Sequence, residues 1–194
     1  MRTSIYLASA SPRRRELLRQ LGVDFDVLSV EVDETPYAGE GPRDVVQRLA
    51  LAKARAGWLE SDRNRPVLGA DTVVVVGNHT LGKPVNREDA ERMLTSLSAC
   101  VHEVCTGVAL VQGGHEAASL SVSKVTFKEL SEREIGHYLD TGEPIDKAGA
   151  YAIQGRGAMF VVDLQGSYSG VVGLPLRETA ALLAEFGVDA LANK

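Results

Sequence analysis

Apolar and polar positions along this chain switch repeatedly between two periods. The run "SIYLAS" predicts a short buried strand, and helical spacing follows at once. Leu17, Leu18 and Leu21 share one face, Ser11 is placed to cap it, Pro12 suits the first turn and Gly22 stops it. "FDVLSVEVDE" alternates as a strand and leads into the Pro/Gly loop "TPYAGEGP". A helix from about Arg43 to Leu59 buries Val46, Leu49 and Ala50. "PVLGADTVVVV" is continuous and β-branched, the pattern of a central strand. Gly77-Asn78 turns it into a hairpin returning through "HTLGKP". "NREDAERMLTSLS" predicts an amphipathic helix capped by Asn86, and two long strands joined at Gly113-Gly114 come next. "SEREIGHYLDTGEP" carries a helix with a capping box from Ser131 to Glu134, and "DKAGAYAIQGRGA" a loop of small residues. "MFVVDLQGSYSGVVGLP" is expected to form a strand pair, and "PLRETAALLAEFG" the last helix. Strands and helices alternate without repeats, so the expected fold is α/β around a mixed sheet. No break in composition marks a linker, and residues 1–194 are expected to form one domain with two lobes.

Composition narrows the picture mainly by exclusion. The 194 residues are 44% hydrophobic, which is enough for an ordinary core. A net charge of −5 and a pI near 5.4 argue against a duplex nucleic-acid surface, which needs a basic stripe. Apolar runs such as Val73 to Val76 are far too short to span a membrane. The N-terminus enters a strand-like segment rather than a charged-then-apolar leader, so a reduced, cytoplasmic protein is expected. Cys100 and Cys105 have neither the spacing nor the histidine partners of a zinc site. There is no P-loop and no dinucleotide fingerprint. Asp71 lacks the second aspartate of a haloacid-dehalogenase-type phosphatase. "RETAALLAEFG" imitates a Nudix box, but Ala181 and Leu182 stand where metal-binding glutamates are needed. The four histidines are scattered and read as ordinary surface or core residues.

Candidate chemistry begins at the first helix. Arg13, Arg14 and Arg15 crowd its N-terminus, where the helix dipole disfavours positive charge. With Ser9, Ser11 and the free amides of the first turn they suit a phosphate; a solvated turn paired with Glu16 is the alternative. In "EVDE", Glu31, Asp33 and Glu34 suit Mg²⁺, which needs only one or two protein carboxylates, or simply a polar strand edge. Lys53 lies on the apolar face of its helix, either snorkelling or reaching into a polar pocket. Asp71 interrupts an apolar strand, and a buried aspartate needs a partner or a metal. Lys83, held extended by Pro84, approaches Asp71 if the hairpin closes on it, as a site residue or as a plain salt bridge. Lys147 sits among glycines and alanines that let a ligand near the backbone, and Gln154 offers a donor and an acceptor to a base edge; a tight structural loop is the alternative.

In order, "LASASPRRRELL", "VDE", "LAKA", "GADTVV", "GKP", "DKAGAYAIQG" and "GSYSGVVGLPL" closely resemble the Maf family of nucleoside triphosphate pyrophosphatases, from about Leu7 to Phe186. The last two motifs resemble the branch acting on dTTP and UTP rather than the 7-methyl-GTP branch. The resemblance implies an elongated mixed sheet flanked by helices, two lobes and a central cleft, similar to inosine triphosphate pyrophosphatases. It implies a cytoplasmic enzyme that needs a divalent metal, Mg²⁺ or Mn²⁺, and often forms a homodimer. By resemblance Asp71 is the catalytic aspartate, Ser9, Arg13 and Arg14 handle phosphate, and Glu34, Lys53, Lys83 and Lys147 fill the acidic and lysine positions. Arg13, Thr72 and Gln154 form the specificity set. Ala10 stands where glycine is common, which a negative φ accommodates. The expected reaction cleaves the bond between the α- and β-phosphates of a nucleoside triphosphate. Glu34 and Asp71 hold the metal, either Asp71 or Glu34 serves as base, and the lysines and arginines neutralise developing charge. Removal of damaged nucleotides is the expected purpose. The rival expectation, from the family's link to septum formation and division arrest, is a non-catalytic nucleotide-binding regulator.

Overall fold

Seven strands and six α-helices make up the structure, a computed structural model that describes residues 4–191. The first and last three positions of the expected 1–194 domain lie outside the described residues. In chain order the elements are β1 (Ser4–Ala8), α1 (Pro12–Gln20), β2 (Asp24–Leu28), α2 (Pro42–Glu60), β3 (Val67–Val76), β4 (His79–Leu81), α3 (Arg87–Leu97), β5 (Val101–Gln112), β6 (His115–Phe127), α4 (Glu132–Leu139), β7 (Val161–Gln165), α5 (Tyr168–Val172) and α6 (Leu176–Glu185). Three short 3₁₀ turns lie between α4 and β7. The sheet order is β2-β1-β3-β5-β6-β7, with β4 paired to β3. β1 runs parallel to β2 and β3, while β4 and β7 run antiparallel to their neighbours, so the sheet is mixed as expected.

The chain divides into two compact units. One takes in the described residues up to Asp71, Thr106–Ser121 and those from Gly173 onward; the other takes in Thr72–Cys105 and Val122–Val172. In the first unit, α2 packs against the strands through Val46, Leu49, Ala50 and Ala54, all buried. It lies unusually close to β3. A Cβ placed on Gly69 would stand 2.2 Å from the Ala50 carbonyl oxygen and 2.6 Å from the Ala54 nitrogen. Backbone cannot yield as a flexible side chain does, so Gly69→Ala must push α2 off the strand. Overpacking of this kind costs about 3 kcal/mol. Urea unfolding should show that loss, and a variant within about 0.5 kcal/mol of wild type would mean that α2 is held less tightly than the geometry states.

In the second unit, α4 opens with the expected capping box. Ser131 Oγ accepts from the Glu134 amide at 3.3 Å, and Glu134 accepts in return from the Ser131 amide at 3.0 Å. His102 of β5 lies in the core against the edges of Phe127 and Tyr151. Its Nε2 pairs with the Tyr151 hydroxyl at 2.9 Å, and its Nδ1 has no hydrogen-bond partner among the described residues. Burial pushes its pKa from 6.5 down to about 4. The folded state therefore binds fewer protons than the unfolded chain between those values. The associated stability is complete above pH 6.5 and is lost as pH falls toward 4, by roughly 3 kcal/mol in all. His102→Asn should flatten this part of the stability profile, measured by denaturant midpoints at pH 7 and 4.5. An unchanged profile would assign the acid loss to carboxylates instead.

Two expected strands differ. β2 stops at Leu28 and does not continue through "SVEVDE", because among the described residues its one strand neighbour is β1 and the last paired residues are Ala8 and Leu28. Beyond Ala8 the chain turns into α1, leaving nothing to pair with. The expected second strand in "GSYSGVVGLP" is instead the short helix α5, started by Ser167: its hydroxyl accepts from the Gly170 amide at 3.0 Å and its carbonyl from the Val171 amide at 3.0 Å. A local cap outweighs the β-branched pair Val171-Val172.

Candidate functional site

The N-terminus of α1 forms as its sequence requires. Ser11 is extended and accepts from the Arg14 amide, with Pro12 in the first turn. Among the described residues Ala10 is not one of those with positive φ, so alanine is accommodated there. The arginines then diverge. Arg14 folds inward, donating from Nε to the Gly173 carbonyl at 2.9 Å and from a terminal nitrogen to Ser9 Oγ at 3.3 Å. Burial lowers its pKa; Asp71 and Glu34 oppose that shift, and Arg13 adds to it. Those four charged groups thus share one field. Arg15 reaches back to the Ala10 carbonyl at 3.4 Å.

Lys53 resolves the choice left open by its position on α2. Its ammonium lies 2.7 Å from Asp71 Oδ1 and 2.6 Å from Glu34 Oε1. The lysine side chain is 13% exposed and that of Asp71 11%, whereas Glu34 is 59% exposed. The close approach of α2 to β3 at Gly69 is what brings a helix lysine onto a strand aspartate two residues further on. Asp71 therefore has the partner a buried carboxylate needs. Two carboxylates flanking one cationic group form a donor set that fits a hard divalent ion, which takes oxygen ligands and keeps several waters. No cluster of three or more His, Cys, Asp or Glu suited to a metal occurs among the described residues.

Glu34 rides on residues 29–41, which have no regular hydrogen-bonded structure apart from a turn. Spacing alone did not reveal what fixes this loop. Arg48 of α2 holds Glu40 with a two-pronged contact of 2.6 and 2.7 Å, donates to the Thr35 carbonyl at 3.1 Å and lies 4.1 Å from the centre of the Tyr37 ring. Asp33 Oδ1 accepts from the Thr35 amide at 2.9 Å, tightening the turn beside Glu34. The available signal was an arginine in a polar stripe of α2 following a loop with a glutamate and a tyrosine.

The remaining candidates belong to the other unit. Thr72 is half-buried on β3, and Lys83 is exposed just after β4. The Gly149 amide donates to the Gly82 carbonyl at 3.0 Å, joining the Lys83 segment to the loop that carries Lys147. Lys147 pairs with Asp146 and donates to the Glu143 carbonyl at 3.3 Å. Gly149 and Ala150 both take left-handed backbone, φ 69° and 58°, so this loop is tightly coiled. Gln154, further along the chain, is exposed.

Comparison with known proteins places these features in a family. Residues 4–186 match the family model described as "Maf-like protein". A protein from Alkalilimnicola ehrlichii named dTTP/UTP pyrophosphatase is 58% identical over 97% of this chain and 95% of its own. Another of that name from Yersinia pestis is 52% identical over 95% of this chain and 93% of its own. A solved structure, a nucleoside-triphosphatase / dITP/XTP pyrophosphatase from Mycobacterium abscessus, matches with a TM-score of 0.43 and 22% identity over 64% of this chain and 74% of that one, too distant to carry an argument. No helix among the described residues is long and apolar enough to cross a membrane. With its motifs in family order and the model matched along nearly its whole length, the chain belongs to the Maf family.

Proposed function

We propose that this chain is a nucleoside triphosphate pyrophosphatase that hydrolyses dTTP and UTP to the monophosphate and pyrophosphate, acting as one Maf-like domain in the cytoplasm. The observation that carries the reading is the Lys53 bridge between Asp71 and Glu34, in one field with Arg13 and Arg14. A simple anion-binding regulator needs the cations but has no use for two carboxylates among them. The names of the relatives favour the enzyme too.

In this reading the anionic triphosphate lies against the α1 N-terminus. Ser9 and the first-turn amides donate to phosphate oxygens, Arg13 and Arg14 pair with the phosphate charge, and that negative charge offsets the dipole penalty of roughly 0.3–1 kcal/mol per cation. Asp71 is carried by a central strand and keeps its position, which suits a group that must orient and deprotonate the attacking water. Glu34 lies on a loop and can follow a cation. A divalent ion, Mg²⁺ or Mn²⁺, would be held by Glu34 and Asp71 and would supply Lewis-acid polarisation of phosphate oxygens and an acidified water. Lys53, beside both carboxylates, would offer its ammonium to phosphate oxygens on which negative charge develops. Lys83 and Lys147 add cationic contacts to the polyphosphate, while Thr72 and Gln154 contact the base. A homodimer is the proposed assembly.

Pyrophosphate release from dTTP, followed with and without Mg²⁺, tests this reading. The account expects metal-dependent release, abolished by chelator and restored by Mg²⁺ or Mn²⁺. Nucleotide binding without any release would leave only the regulator.

A further inference from the structure

The segment Ala152–Gly157 is clamped at both ends by one pair of side chains that no motif singled out. Tyr138, on the last turn of α4, donates from its hydroxyl to Glu143 Oε1 at 2.6 Å and accepts from the Ala152 amide at 3.0 Å. The same carboxylate accepts from the Gly157 amide at 3.2 Å through Oε1 and from the Arg156 amide at 3.1 Å through Oε2. Between these feet the chain closes a tight turn, with the Gly155 amide donating to the Ala152 carbonyl at 3.1 Å. Gln154 stands inside that turn and is exposed.

Two glycines make the seating possible. A Cβ on Gly155 would fall 2.3 Å from Glu143 Oε2, and one on Gly157 would fall 2.8 Å from the Tyr138 hydroxyl and from the Ala152 carbonyl oxygen. Tyr138 is itself fixed, buried with its ring edge-on to Phe160 at 5.0 Å. Burial raises the Glu143 pKa, but the hydrogen bonds from Tyr138, Arg156 and Gly157 outweigh it and hold the carboxyl below its ordinary value. The clamp therefore stays charged at neutral pH.

Resting on the base-reading role given to Gln154 above, we propose that Tyr138 and Glu143 are positioning residues for base selection, fixing the turn that aims Gln154. Neither touches the substrate. They act by removing freedom from the backbone on both sides of the reader, and a small misplacement of a positioned group is costly. A purely structural role would alter stability and leave base choice intact.

The test compares kcat and KM for dTTP and dATP in wild type, Tyr138→Phe, Glu143→Gln, Gln154→Ala and the double variant Tyr138→Phe/Gln154→Ala. Tyr138→Phe should lower the dTTP-over-dATP ratio of kcat/KM by about tenfold, through a raised KM for dTTP with kcat little changed. Glu143→Gln, which places an amide NH₂ against one of the amides the carboxylate now accepts from, should shift the ratio the same way and replaces Tyr138→Phe if that variant does not fold. The double variant should be no less selective than Gln154→Ala alone, since removing the reader removes what the clamp positions. If Gln154→Ala loses selectivity but both clamp variants keep it with only a lowered melting temperature, the positioning role is wrong and the base reader stands. If wild type shows no preference, or Gln154→Ala keeps it, the base-reading assignment falls and this inference with it.

Discussion

Asp71→Asn should lower dTTP turnover by about 10² or more while leaving nucleotide binding largely intact. The substitution keeps the size of the side chain and its capacity to accept from Lys53, which now lies 2.7 Å from Oδ1. It removes the negative charge and the basicity. The strand should not shift, because Asp71 follows buried Ala70 and precedes, after half-buried Thr72, buried Val73 and Val74. Lys53 also retains Glu34 at 2.6 Å, so its ammonium is not stranded in the interior. The arginines of α1 are untouched, and they carry the phosphate contacts in this account. Turnover and equilibrium binding of dTTP should therefore separate in this variant. Turnover close to wild type would remove Asp71 from the mechanism. Loss of folding, read from a thermal melt, would show that the aspartate serves stability first.

The second large effect concerns the base. Thymine and uracil present one ring N–H between two carbonyls, and the Gln154 amide can complement two neighbouring positions on that edge. Discrimination by a hydrogen-bonded edge can reach about 10⁴, whereas shape alone gives much less. In this account a purine's second ring would meet the coil beside Gln154, which is packed too tightly to yield. A Cβ on Gly149 would already lie 2.9 Å from Val74 Cγ2, and Ala150 is buried with a left-handed backbone. The kcat/KM values for dTTP and UTP should exceed those for dATP and dGTP, and Gln154→Ala should narrow the gap mainly by impairing the pyrimidines. Purines hydrolysed as well as dTTP by wild type would reopen the substrate assignment.

The elements that were legible in the sequence had local causes. Ser11 and Pro12 start α1, Ser131 and Glu134 start α4, and the β-branched run through Val76 makes β3. Asp71 stood out because one charge among buried apolar residues demands a partner. That the partner is Lys53 was not legible, since it depends on how closely α2 approaches β3 at Gly69. The end of β2 was misread for a similar reason: "SVEVDE" alternates well enough, but a strand needs a neighbour and β1 supplies none past Ala8. Arg48, Tyr138 and Glu143 escaped notice because their roles lie in contacts with loop backbone, which leave no period or spacing in the chain. The loop from Lys147 to Gln154 was visible as small residues, while the Tyr138–Glu143 clamp was not.

The central claim is cleavage between the α- and β-phosphates. Chromatography of a dTTP digest, run to partial completion in the presence of Mg²⁺, tests it most directly by identifying the nucleotide product. The account predicts dTMP and pyrophosphate in equal amounts from the earliest time points. Accumulation of dTDP with inorganic phosphate would contradict it.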